Sequence, residues 1–361
     1  MTLTFFAVLA LLVFLAQRYA AKASLRALRC DARFSTPLAD PEELFAVETV
    51  AENPGWLPIL YLRISARLPA ALRFAEEEAL RAQIERDDWR GTEYSTILYL
   101  LPRQRVTRRE QASLPERGRY SLRELRVSVG DFLGVDEAYT GRTVHGELVV
   151  APRRADERAV GQVLGGFLGD VSVRRFLLED PVLTIGVRDY TGREPQKDIA
   201  WRQTARLGRL VVKEYDHTVE PLVTVLLNVE YTASPPVRAA AAEQCLSLAR
   251  TACELLERQR VPYRFCTNTT TASALGLWSE VENGLGQAHF DAIRDGLGRA
   301  DGSCRRSFAQ MVEQEKGRTE AGRSYLVVTP PLAPAQQRAL DGLRALTGGA
   351  VRLLQGEAEA E

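Results

Sequence analysis

The run Leu222-Val223-Thr224-Val225-Leu226-Leu227 constrains this chain more than any other stretch. Side chains alternate across a strand, so a run apolar at nearly every position must be covered on both faces. The sequence that follows can supply cover. Ser234 and Pro235 read as an N-cap and a first helical turn. The helix running on to Arg260 then lines up Ala241, Cys245, Leu248, Ala252 and Leu256 on one face, with Glu243, Ser247, Arg250, Glu254 and Arg258 opposite. Strand signals return at 261–266, 324–328 and 351–354, with helical periodicity over 334–346. This alternation predicts a doubly wound α/β domain over 220–361.

The first half reads differently. Phe45 opens a strand-like run closed by the turn signal Asn53-Pro54-Gly55, and Leu60, Leu62, Ile64, Ala66 and Leu68 then alternate strictly up to Pro69. Further strands are expected over 94–101, 122–129 and 148–150, giving a β-sandwich over 28–155. Residues 75–86 have helical composition. Glycines at 161, 165, 166 and 169 suggest an exposed connector, assigned to 156–219.

Residues 3–16 form an apolar run broken by Thr4, followed by Arg18, Lys22, Arg26 and Arg29. It is shorter than the roughly twenty residues of a typical span, but no basic residue precedes it as a secretory signal would require. The expectation is a transmembrane anchor over 1–27, with the bulk of the chain on the cytoplasmic side of the cell membrane. The five cysteines are widely spaced and read as reduced thiols. Lysine plus arginine equals aspartate plus glutamate, 47 against 47, so no global field draws nucleic acid.

Between 186 and 217 lies a segment dense in arginine. Tyr190, Ile199, Trp201, Ala205-Arg206, Gly208 and Val212-Lys213 fall at the intervals of a known pattern. The chain thereby resembles the family called domain of unknown function 58, bacterial membrane-associated proteins often paired with MoxR-type AAA ATPases. Arg117-Gly118-Arg119-Tyr120 resembles that family's strand start, and Asp131 with Gly134 stands at its turn, although Phe132 and Leu133 depart from it. Arg193 likewise stands where the family has glycine. The resemblance implies that the α/β domain is von Willebrand factor A-like and that a MoxR-type ATPase is the partner. Tyr190, Glu194, Lys197, Trp201, Arg202, Arg206 and Arg209 are the candidate partner-binding residues, because arginine's planar fork suits carboxylate or phosphate.

Domains of that type commonly hold Mg²⁺ after the first strand. Here the corresponding stretch supplies Asn228, Glu230 and Thr232, a degenerate set with one carboxylate, so no metal or other cofactor is expected. Catalytic patterns are weaker still. His145, His217 and His289 are scattered, Ser303 follows no strand-to-helix elbow, and no phosphate-binding loop occurs. The expected function is a non-catalytic, membrane-anchored adaptor. A metal-dependent adhesion module is the alternative, with a hydrolase using His217 behind it.

Overall fold

The computed structural model describes residues 19, 22–76, 84–87, 91–130, 137–177, 180–192, 194–216, 223–273, 276–318, 323–347 and 351–356. The apolar run 3–16, together with Asp131, Gly134, Arg193 and His217, lies outside them. Contacts divide the chain into two units, Met1–Arg153 and Arg154–Glu361.

The first unit is built of strands. They are β1 (Arg29–Phe34), β2 (Leu38–Ala39), β3 (Phe45–Glu52), β4 (Ile59–Leu68) and β5 (Arg73–Phe74). Then come β6 (Ile84–Asp87), β7 (Gly91–Leu100), β8 (Arg105–Ser113), β9 (Gly118–Gly130) and β10 (Glu137–Val150). One sheet has the order β1-β3-β8-β5, the other β2-β10-β9-β4-β7-β6. Two-residue periodicity explains their facing. In β7, Thr92, Tyr94, Thr96, Leu98 and Leu100 are buried while Ile97 and Tyr99 stand out. Phe34, Phe45 and Val47 of one sheet share a core with Leu62, Ile64 and Val127 of the other. Phe74 and Tyr94 meet across it with ring centroids 5.1 Å apart.

A helical stretch at 22–27 precedes β1 and buries Leu25; Leu28 is buried just after it. Its last carbonyls are captured from a distant strand, as Arg142 Nη2 donates to Leu25 O (3.0 Å) and Leu28 O (2.9 Å). The helix expected over 75–86 is corrected where it is described. Ile84–Asp87 is a strand, with Ile84 opposite Tyr94, because pairing to an open sheet edge outweighs helix-favouring composition.

The second unit opens with α1 (Glu157–Leu177). The glycines expected to loosen this stretch sit within a helix, and Val160, Leu164 and Phe167, spaced four and three residues apart, pack into the core. There follow β11 (Asp180–Asp189), α2 (Trp201–Leu207), β12 (Val211–Asp216), β13 (Val223–Leu227) and α3 (Pro235–Arg258). Next are β14 (Tyr263–Thr267), β15 (Thr269–Ser273), β16 (Gly276–Leu277), β17 (Glu280–Gly284), α4 (Gln287–Arg299) and β18 (Ala300–Cys304). The unit closes with α5 (Phe308–Lys316), β19 (Ser324–Thr329), α6 (Pro334–Leu346) and β20 (Val351–Gln355). Its largest sheet, β17-β14-β13-β19-β20, is mixed, with β17 antiparallel at the edge. Every residue of β13 and β19 is buried. Two smaller sheets, β11-β12 and β16-β15-β18, are antiparallel.

These observations overturn the expected fold class of membrane helix, sandwich and doubly wound von Willebrand factor A-like domain. Strand predominates, with twenty strands in five sheets among the described residues. No described helix is long and apolar enough to cross a membrane, and the run 3–16 assigned to a transmembrane anchor lies outside the described residues. The alternation read from 220 onward missed the polar strands between Thr269 and Cys304, whose threonines and glycines carry no apolar period.

Candidate functional site

The arginine-dense segment folds as a small strand-helix-strand unit. β11 and β12 pair antiparallel, with Arg188 opposite Val212 and Asp189 opposite Val211. The chain then doubles back, and Ala200 N donates to Val211 O at 2.9 Å. Ile199, Ala200, Val211 and Val212 are buried. α2 ends at Gly208, which adopts the left-handed conformation (φ 67°) that glycine accepts without strain.

The candidate partner-binding residues divide by role. Glu194 is a loop staple: it accepts from Arg188 Nη1 (2.6 Å), Thr191 N (3.0 Å) and Thr191 Oγ1 (2.9 Å). Burial opposes its charge, yet the hydrogen bonds from Arg188 and Thr191 hold the carboxyl down at about 2. Arg209 pairs with Asp189 at 2.9 Å, both of them exposed. Tyr190 is half-buried, and its N–H donates to Leu210 O. Trp201 is 63% exposed, with Leu207 and Leu210 also in solvent. Lys197, Arg202 and Arg206 are exposed, and among the described residues no ion-pair partner faces the two arginines. The four-residue step between them places both cations on one side of α2.

Asn228, Glu230 and Thr232 follow β13. Asn228 is fully buried and both of its amide atoms are engaged. Its Nδ2 donates to Thr329 Oγ1 (2.8 Å), while its Oδ1 accepts from Asn268 Nδ2 (2.7 Å) and Glu230 N (2.9 Å). Asn268 Oδ1 accepts from Val229 N at 3.0 Å. Three neighbouring strand ends are thus joined by side-chain amides and a hydroxyl. Glu230 turns its carboxylate to the start of α5, where Oε2 accepts from Phe308 N at 2.6 Å. A helix N-terminus favours such a charge. Thr232 is exposed. Asn228 and one carboxylate oxygen of Glu230 are therefore engaged in the fold, and no group of three or more His, Cys, Asp or Glu among the described residues could hold a metal ion.

Sequence reasoning missed Asn268 because it lies forty residues beyond Asn228. It also missed the buried ion cluster in which Arg264 donates to Glu315 (2.7 Å) and Glu280 (2.7 Å), since neither spacing forms a motif. Ser303 Oγ donates to Asp301 Oδ1 at 2.8 Å, so the serine faces a carboxylate. His145 lies in the first unit and His289 in the second, where its Nδ1 is 3.3 Å from Glu257. All five thiols are free, and burial pushes them up: Cys30 and Cys245 to about 12, Cys266 and Cys304 to about 11, and Cys253 further. A concavity of about 460 Å³ lies instead on the first unit, lined in part by Arg67, Glu93, Arg119, Arg123 and Arg126.

No family model matches the chain, and no curated protein matches it. Solved structures resemble it over about a third of its length. A CARDB domain from Pyrococcus furiosus is 8% identical, covering 34% of this chain and 91% of its own, with a TM-score of 0.23. The bacterial hydrophobin BslA is 13% identical, covering 36% and 97%, with a TM-score of 0.23. A cohesin module from Clostridium perfringens is 9% identical, covering 33% and 98%, at 0.23.

Proposed function

We propose that the chain is a non-catalytic adaptor that binds a partner protein through α2 and its flanking turn. The observation that carries this reading is the exposure of Trp201, at 63%, beside exposed Leu207 and Leu210 and two arginines without described ion-pair partners. A tryptophan in water is an unused anchor, since large aromatics with arginine dominate interface energetics. Like charges four residues apart on a helix repel by about 0.2–0.5 kcal/mol. An acidic partner surface would turn that cost into attraction. The staple at Glu194 and the pair Arg209–Asp189 then serve to hold α2 in place, leaving Trp201, Arg202 and Arg206 to make the contact. A MoxR-type AAA ATPase is the partner that the family resemblance names.

The test is sedimentation of the full chain with a purified MoxR-type ATPase. Wild type should co-sediment, while Trp201→Ala and Arg202→Glu/Arg206→Glu should not, with thermal unfolding of both variants unchanged. Equal co-sedimentation of the variants, or none by wild type, would remove α2 or that ATPase from the proposal.

A further inference from the structure

We propose that one end of the first unit is a contact for an anionic lipid surface. The register identifies that end. Arg29 lies opposite Glu52, Glu52 opposite Arg105, Ile59 opposite Leu100, and Tyr61 opposite Gly130. The start of β1, the β3–β4 loop and the β7–β8 loop therefore share one edge of both sheets. The two loops interlock: Asn53 Nδ2 donates to Leu57 O (2.8 Å) and Leu101 O (3.2 Å), and Arg103 N donates to Gly55 O (3.2 Å). A rigid tip results.

What the tip displays is unusual for a surface. Trp56 is 79% exposed, Leu101 53% and Leu60 50%, and the outward positions of β7 add Ile97 and Tyr99. Tyr139, near the start of β10, is also exposed. Leu44 alone among the exposed large apolar residues of β1–β10 and their described turns sits at the opposite end. Concentration of this kind marks a contact surface, whereas scattered apolar residues need no explanation. Among the described residues its rim is basic: Arg29, Arg63, Arg103 and Arg105 are exposed there, against half-buried Glu52 and exposed Asp31 and Glu137.

Two features select lipid as the occupant. Tryptophan and tyrosine with apolar neighbours and a basic rim suit the boundary between headgroup and acyl chain, and the basic residues match an anionic leaflet. The chain also arrives at this end from the apolar sequence 3–16, by way of the helical stretch at 22–27, and leaves the unit from the other end after Val150. Contact would be peripheral, made by loop tips and a sheet face. It depends on nothing in α2.

The experiment is tryptophan quenching of the full chain by brominated-lipid vesicles of phosphatidylcholine with phosphatidylglycerol, compared with Trp56→Phe. Wild type should bind, with quenching that Trp56→Phe partly abolishes, and Arg103→Glu/Arg105→Glu should weaken binding several-fold. Failure to bind, or quenching unchanged by Trp56→Phe, would overturn the proposal by leaving Trp56 outside the lipid. Sedimentation velocity without lipid supplies the remaining check. A dimer made monomeric by Trp56→Glu/Leu101→Glu would assign the surface to a second copy of the chain and overturn the lipid reading.

Discussion

Asn228 and Arg206 are both polar residues in the second unit, and they are used in opposite ways. Asn228 is buried with each amide atom bonded, and it joins the ends of β13, β14 and β19. Arg206 stands in water on a seven-residue helix, with no ion-pair partner among the described residues. A buried polar group must find its partners within the fold or cost about 1–3 kcal/mol, whereas an exposed one is already satisfied by solvent. The sheet end can therefore be altered only at the expense of stability, and α2 only at the expense of whatever it touches.

The comparison can be broken or sharpened by substitution. The largest effect is expected where charge is most deeply committed. Glu315→Ala would remove the more deeply buried of the two carboxylates 2.7 Å from Arg264 and leave only the partly exposed Glu280 at that distance. That should cost about 3–5 kcal/mol, read as a lower urea midpoint at constant slope. Asn228→Ala should cost less, about 2 kcal/mol, because Asn268 and Thr329 lose one neutral partner each. A cost no greater than that of a surface change would mean that the amide network is not structural. Mg²⁺ titration of wild type should give no saturable heat, since Asn228 and Glu230 are already engaged.

The next expectation concerns pH. Glu194 is held at about 2 in the folded chain, below the roughly 4.3 of an unfolded glutamate. A depressed folded value stabilises above the unfolded value, and that contribution is lost as pH falls from about 4.3 toward about 2. Thermal unfolding of wild type and Glu194→Gln should therefore differ at neutral pH and converge across that window. Parallel curves at every pH would contradict the staple. The smallest effect belongs to Trp201→Ala, which should change stability by no more than about 0.5 kcal/mol in calorimetry. A larger loss would place Trp201 in the core.

Legibility in the sequence followed the apolar period. Strands such as β3, β4, β13 and β19, and the helix α3, bury residues in runs or faces that a window of sequence displays. α1 carried its own signal in Val160, Leu164 and Phe167, but four glycines argued louder. β15 and β18 are polar and short, held by the distant pairing of Thr269 with Cys304 and of Thr271 with Ala300, so nothing local announces them. At the candidate site, the chemistry of Glu194 and Arg209 was readable as charge, but their commitment to Arg188, Thr191 and Asp189 was not. Nor was the exposure of Trp201 readable: Thr204, three residues on, is the one that turns toward β12, where its hydroxyl accepts from Val211 N.

The grip of Arg142 on the carbonyls of Leu25 and Leu28 has a mechanical meaning. β1 borders its sheet and pairs only with β3, so a pull on the incoming chain would ordinarily unzip it one rung at a time. The guanidinium lies ahead of that edge and is rooted in β10, which runs alongside β9 for most of its length. Tension arriving from the N-terminal side is thus shared with the longest strand pair among the described residues, and the border strand is sheltered behind it.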